Sequence, residues 1–186
     1  MNIQATTSRP AQTNADLRNY YLARGLVAAG WVAAAFTVGQ SAPLAAAALL
    51  VAYPAWDALA NLFDAARSGG LARNRSQAIN AVMSGIAALA ILFTLGDIKA
   101  VVAVFGAWAI VAGLLQLATG LRRWKAYGAQ WSMVLSGAQS ALAGGFFIKQ
   151  SLGANVHGIT DVAPYAAFGA FYFLVSALWL TVRRGR

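Results

Sequence analysis

Apolar positions gather into six long runs, at about 19–39, 43–66, 77–96, 98–121, 129–149 and 161–182, parted by tight turns or short polar segments. A bilayer core of about 30 Å takes about 20 residues of apolar helix, so each run predicts a spanning helix. The links Gln40-Ser41-Ala42-Pro43 and Leu95-Gly96-Asp97-Ile98 are short enough to force antiparallel neighbours. The expected fold is all-α, a six-helix transmembrane bundle over 19–186 behind a polar cytoplasmic N-terminal tail of residues 1–18. Leu26 to Val38 have the length of a signal-peptide core, but the long polar lead and the charge pattern described below favour retention of this segment as the first span.

The even-numbered runs share a tetrapeptide of aromatic, Pro or Gly, Ala, aromatic: Tyr53-Pro54-Ala55-Trp56, Phe105-Gly106-Ala107-Trp108 and Phe168-Gly169-Ala170-Phe171. The odd-numbered runs carry Ala29-Gly30, Ser84-Gly85 and Ser136-Gly137 near the start of their cores. The unit is therefore read as a helix hairpin repeated three times. Repeats of equal topology are related by an axis along the membrane normal, unlike the inverted repeats of many transporters.

Composition agrees with the pattern. The chain is 60% hydrophobic and 10% charged, with no cysteine, which excludes disordered chains, disulfide scaffolds and thiolate metal sites. Its net charge of +9 would suggest nucleic acid in a soluble protein, but the positions of the charges decide otherwise. Arg9, Arg18, Arg67, Arg73 and Arg75 lie in one set of alternate gaps, as do Arg122, Arg123, Lys125, Arg183, Arg184 and Arg186, against Lys99 and Lys149 in the other set. Eleven against two is the positive-inside signature and places both termini in the cytoplasm. Tyr20, Tyr21, Trp124 and Tyr127 beside the basic clusters are read as interfacial anchors, and the bias to Ala, Gly and Arg suggests a bacterial inner membrane. The expected partner is the lipid bilayer, with no nucleic acid and no identifiable substrate.

Charge and amides inside the spans are the sharper signal. Tyr53, Asp57, Asn61 and Asp64 recur at spacings that share one face of the second helix. Asp57 precedes Arg67 by ten residues, about 15 Å of helix, and an ionised carboxylate at that depth costs about 2.5–3.5 kcal/mol unless paired. If the first hairpin turns near Ser41, Arg24 lies level with Asp57, and Arg18 with Asp64. An Arg24–Asp57 pair would favour the charged carboxylate. It is open to three readings: a structural clamp, a proton or ion relay, or one wall of a polar ligand cavity. Asp64 is expected at the interface near Arg67 and Arg73. Asn61, Asn80, Gln116 and Gln139 are expected to bond between helices.

Small residues form a further pattern. In the fifth run Ser136, Ser140 and Gly144 lie beside Gly137, Ala141 and Gly145, all at four-residue spacing. Such faces let helices approach closely in lipid, either within the bundle or in a homo-oligomer or complex with another membrane protein. His157, the lone histidine, is expected in an outer loop. With no Glu, Cys, HExxH, Walker loop or GxSxG, no catalytic, cofactor or metal site is expected, and the chain is read as non-enzymatic.

These residues resemble the HdeD-type acid-resistance membrane proteins, a bacterial family built from short membrane repeats. The resemblance rests on Arg24-Gly25, on Asp57 downstream of an aromatic, and on the small-residue segments Gly106–Gly113 and Ser136–Gly144, and extends over about 20–183. A subgroup likeness is carried by Tyr53–Asn61 and Arg67–Arg75, with departures at Pro54 and Ala58. It implies a six-helix inner-membrane protein linked to acid or envelope stress, with no agreed molecular activity.

Overall fold

Local signals set the helix ends. Pro43 begins a helix because its fixed φ and missing N–H suit the first turn. Asp97 caps another by accepting the backbone N–H groups of Lys99 at 2.9 Å and Ala100 at 3.3 Å. Gly69 and Gly70, at φ of 105° and 90°, supply the left-handed backbone on which the chain leaves its second long helix. The computed structural model describes residues 14–124 and 130–182. Its helices are α1 (Asn14–Phe36), α2 (Val38–Ser41), α3 (Pro43–Arg67), α4 (Arg75–Thr94), α5 (Ile98–Arg123), α6 (Gln130–Ser151) and α7 (Ile159–Val182), and the described residues contain no strand. Arg9, Lys125, Tyr127, Arg183, Arg184 and Arg186, and most of the expected polar tail, lie outside the described residues. α1 begins at Asn14, five residues before the first expected span.

Five of the six long helices are long and apolar enough to cross a membrane: Ala15–Ser41, Pro43–Arg67, Arg75–Thr94, Ile98–Arg122 and Ile159–Val182. The remaining expected span, α6, falls outside this set. Its 22 residues are long enough, but Gln130, Ser132, Ser136, Gln139, Ser140 and Gln150 lower its hydropathy.

The bundle turns apolar side chains outward and buries polar ones beside its apolar core. On α4, Ile79, Val82, Ile86, Leu89 and Phe93 recur every three or four residues and are exposed, while Gln77, Asn80 and Ser84 on the opposite face are buried. An exposed stripe of that kind suits lipid, where apolar surface carries no cost.

Each long helix packs on its neighbour in sequence, and α7 returns to α1, so the six close into a ring. The most extensive pairings are α5 with α6, α1 with α7 and α3 with α4, whereas α1 with α3 and α6 with α7 meet sparingly. The tighter pairs are thus not the hairpins read from the sequence. Glycine explains the closest one. A Cβ on Gly113 would lie 2.6 Å from Gly137 O, and one on Gly144 would lie 2.5 Å from Gly106 O, so α5 and α6 touch backbone to backbone only because both helices lack side chains there.

Aromatic rings fill one half of the ring's interior. Tyr53 of α3, Trp108 of α5 and Tyr165 of α7 stand with centroids 5.9, 6.1 and 6.3 Å apart in edge-to-face pairs, the geometry favoured by ring quadrupoles. Phe105, Phe147 and Trp31 complete this layer. Pro54 deprives the Leu50 carbonyl of its helical donor, and in the same turn the Trp31 indole N–H donates to Leu49 O at 2.7 Å, tying α1 to α3.

Candidate intramembrane polar site

Asp57 sits on the inner face of α3, buried at 6% exposure, and three helices supply its donors. Arg24 of α1 pairs with Oδ1. Oδ2 accepts from Asn61 Nδ2 at 3.1 Å, Asn80 Nδ2 at 2.9 Å and Ser84 Oγ at 2.8 Å. The Trp108 indole N–H donates to Ser84 Oγ at 2.8 Å and so links α5 to the same carboxylate. A buried carboxylate held by a guanidinium and three further donors meets the condition under which burial is tolerated.

Arg24 is held in turn. Its Nη1 donates to the Tyr20 hydroxyl at 3.1 Å, and its guanidinium carbon lies 4.5 Å from the Phe173 ring centroid and 5.8 Å from that of Tyr20. These are cation–π distances. The side chain therefore joins α1 to both α3 and α7.

A second network lies two turns nearer the arginine-rich loops. Asp64, 5% exposed, accepts from Gln77 Nε2 at 3.2 Å. Ser76 donates to Gln77 Oε1 at 3.2 Å and accepts from Arg122. This corrects the expectation of a solvated interfacial Asp64, since the turn after α3 folds α4 back across it. The level pairing of Arg18 with Asp64 does not form; Arg18 donates to Asn19 Oδ1 at 2.9 and 3.2 Å.

Both networks and the aromatic layer line a cavity of about 290 Å³, reached by all six long helices. Asp57, Asn61, Asp64 and Tyr53 line it along α3, and Arg24 lines it from α1. All five candidate polar residues of the sequence thus face one space. Gln116 of α5 and Gln139 of α6 also line it. Among the described residues their side-chain amides have no hydrogen-bond partner, contrary to the interhelical bonds expected of them. Phe146 and Phe168, 62% and 53% exposed, line the cavity and the outer surface at once, so the space meets the lipid-facing surface where α6 and α7 pack sparingly.

The small-residue face of α6 divides among several surroundings. Gly137, Ala141 and Gly144 meet α5 at Gly113, Leu117, Ile110 and Gly106, leaving that strip no room for a second chain. Ser140 donates to Ala109 O at 2.9 Å and lies 2.9 Å from the Tyr165 hydroxyl. Ser136 lines the cavity. A Cβ on Gly145 would meet nothing within 4 Å.

Three contributors to the site escaped the sequence reading: Gln77, Ser84 and Trp108. Gln77, Asn80 and Ser84 follow i, i+3, i+7 spacing, a single helix face, and that spacing would have flagged two of them. At the opposite end, Asp161 accepts the His157 and Gly158 N–H groups at 2.6 and 3.2 Å and caps α7. Among the described residues no group of three or more His, Cys, Asp or Glu side chains is placed to hold a metal. Comparison of the chain with protein-family models, curated proteins and solved structures finds no match.

Proposed function

We propose that this chain is a non-enzymatic, multi-pass inner-membrane protein that admits a small polar solute to a cavity within the bilayer, in the manner of a small transporter or channel. The observation that carries the reading is the cavity of about 290 Å³ reaching Asp57, into which Gln116 and Gln139 present amides with no protein partner. A clamp that served only to hold helices together would leave those amides unmet, at about 1–3 kcal/mol each in a dry interior. A polar cavity of this size holds water or a ligand.

Orientation and span number belong to the same proposal. The excess of basic residues, eleven against two, puts both termini and the polar half of the cavity on the cytoplasmic side. α6 crosses as a sixth span because its polar groups turn inward: Gln130, Ser132 and Ser140 are buried, while Leu135, Leu142 and Phe146 are exposed. The acid- or envelope-stress role implied by the HdeD resemblance rests on the residues quoted for it. Deletion of the gene followed by challenge at low pH tests that role, and unchanged survival counts against it.

The absence of cysteine makes accessibility a clean test of the cavity. In the purified protein in nanodiscs, where both faces are open to the reagent, Gln116→Cys and Gln139→Cys are expected to react with a membrane-impermeant methanethiosulfonate, while Leu89→Cys on the lipid-facing stripe does not. If both cavity positions resist the reagent while Gly153→Cys in the loop after α6 reacts, the interior is dry and the Arg24–Asp57 pair is only a clamp.

A further inference from the structure

We infer that the cavity takes a small protonated organic amine, an apolar body carrying an ammonium with N–H donors. The inference rests on the cavity reading above and names the class of solute. Charge, unmet acceptors and aromatic surface carry it together.

Among the described lining residues Arg24 is the single base, and it is committed to Asp57 and Tyr20. Asp57 and Asp161 line the same space. An anion entering it would meet no uncommitted cation, although the chain as a whole carries +9. The positive surplus lies in the loops, and the interior is arranged for the opposite sign of ligand.

Gln116 and Gln139 offer both donors and acceptors, but the buried unmet atom of the lining is an acceptor. Asn80 lines the cavity at 8% exposure. Its Nδ2 donates to Asp57, and its buried Oδ1 has no donor. Asp57 Oδ1 receives a single side chain, Arg24, while Oδ2 receives three. A carboxylate has about four lone-pair sites, two on each oxygen, so Oδ1 retains capacity. A ligand N–H can meet either oxygen, whereas a carbonyl or carboxylate can meet neither.

The remaining wall is aromatic to an unusual degree. Tyr53, Trp56, Trp108, Tyr165, Phe168 and Tyr172 all line it, and ring faces attract ammonium and guanidinium ions once water is removed. Arg24 already lies 4.5 Å from the Phe173 centroid, so these rings accept a cation. About 290 Å³ is at the lower end of small-molecule sites and suits a one-ring amine. The opening at Phe146 and Phe168 gives such an amphiphile a route from the bilayer.

The test is a charge series of one shape: benzylammonium, benzyl alcohol and benzoate, titrated at pH 7 by calorimetry into the purified full chain in nanodiscs. Saturable binding of benzylammonium, about tenfold tighter than either of the others, is expected. Asn80→Leu should weaken it about tenfold. Ala143→Trp, which fills the cavity from α6 without removing any hydrogen bond described above, should abolish it and serves if Asn80→Leu fails to fold. Equal or tighter binding of benzyl alcohol or benzoate overturns the amine inference while leaving the cavity reading intact. No saturable binding of any probe, with the cavity cysteines reactive, does the same. If nothing binds and those cysteines are also silent, both readings fall.

Discussion

Asp57 ties more of the protein together than any other described side chain, because its carboxylate is met from α1, α3 and α4 and, through Ser84, from α5. Removing one partner of such a pair leaves the other charge buried without compensation, which typically costs about 3–5 kcal/mol. Asp57→Ala and Arg24→Ala should each lower stability by about that amount, and the double variant should lose less than their sum because the two losses describe one interaction. Thermal unfolding in detergent measures this, and single variants as stable as the parent would remove the pair from the stability account. The pair was legible from hairpin arithmetic, since helix rise fixes which residues of adjoining helices lie level. Asn80, Ser84 and Trp108 were not legible as its partners, because they stand on helices whose rotation about their own axes depends on packing.

At the scale of the helix, α6 combines a polar composition with a close contact. Gly144 and Gly145 are adjacent in sequence yet face opposite environments: a Cβ on the first would lie 2.5 Å from Gly106 O, and one on the second meets nothing. Gly144→Ala must push α5 and α6 apart and should destabilise by about 1–3 kcal/mol. Gly145→Ala should be neutral or stabilise by about 0.4–1 kcal/mol through a less flexible unfolded chain. Unfolding midpoints of the two variants check the contrast, and loss of an oligomer in Gly145→Ala alone would assign that outer face to a second copy. Both small-residue stripes were visible as four-residue spacings. That α5 covers Gly137 and Ala141 of one and Gly144 of the other is a property of the helix pair, and spacing on one helix carries no information about its partner.

The six long helices form a ring around a cavity with polar and aromatic walls, and the proposed orientation sets the two ends of that ring on opposite sides of the membrane. The same cysteine set tests this: Gln116→Cys and Gln139→Cys should react from the cytoplasmic side in inverted vesicles, and Gly153→Cys from the outside of intact cells. Reaction of all three from one side would overturn the orientation. The ring also explains why α6 can be less apolar than its neighbours, since Ser132 and Ser140 are buried and the side chains turned outward include Leu135, Leu142 and Phe146.

Hydropathy and the positions of arginine are local properties, and they were enough to determine an all-helical membrane chain, the approximate extent of its long helices, and Asp57 as the intramembrane charge most in need of a partner. Tertiary structure alone decided that the strongest pairings are α5 with α6, α1 with α7 and α3 with α4, that Asp64 is buried, and that the Asp57 network and the three rings line a common cavity. A 3.6-residue period says which residues share a face. Which faces meet, and whether they fill the space between them, depends on the volumes of side chains far apart in the chain, and so appears only when the helices are packed.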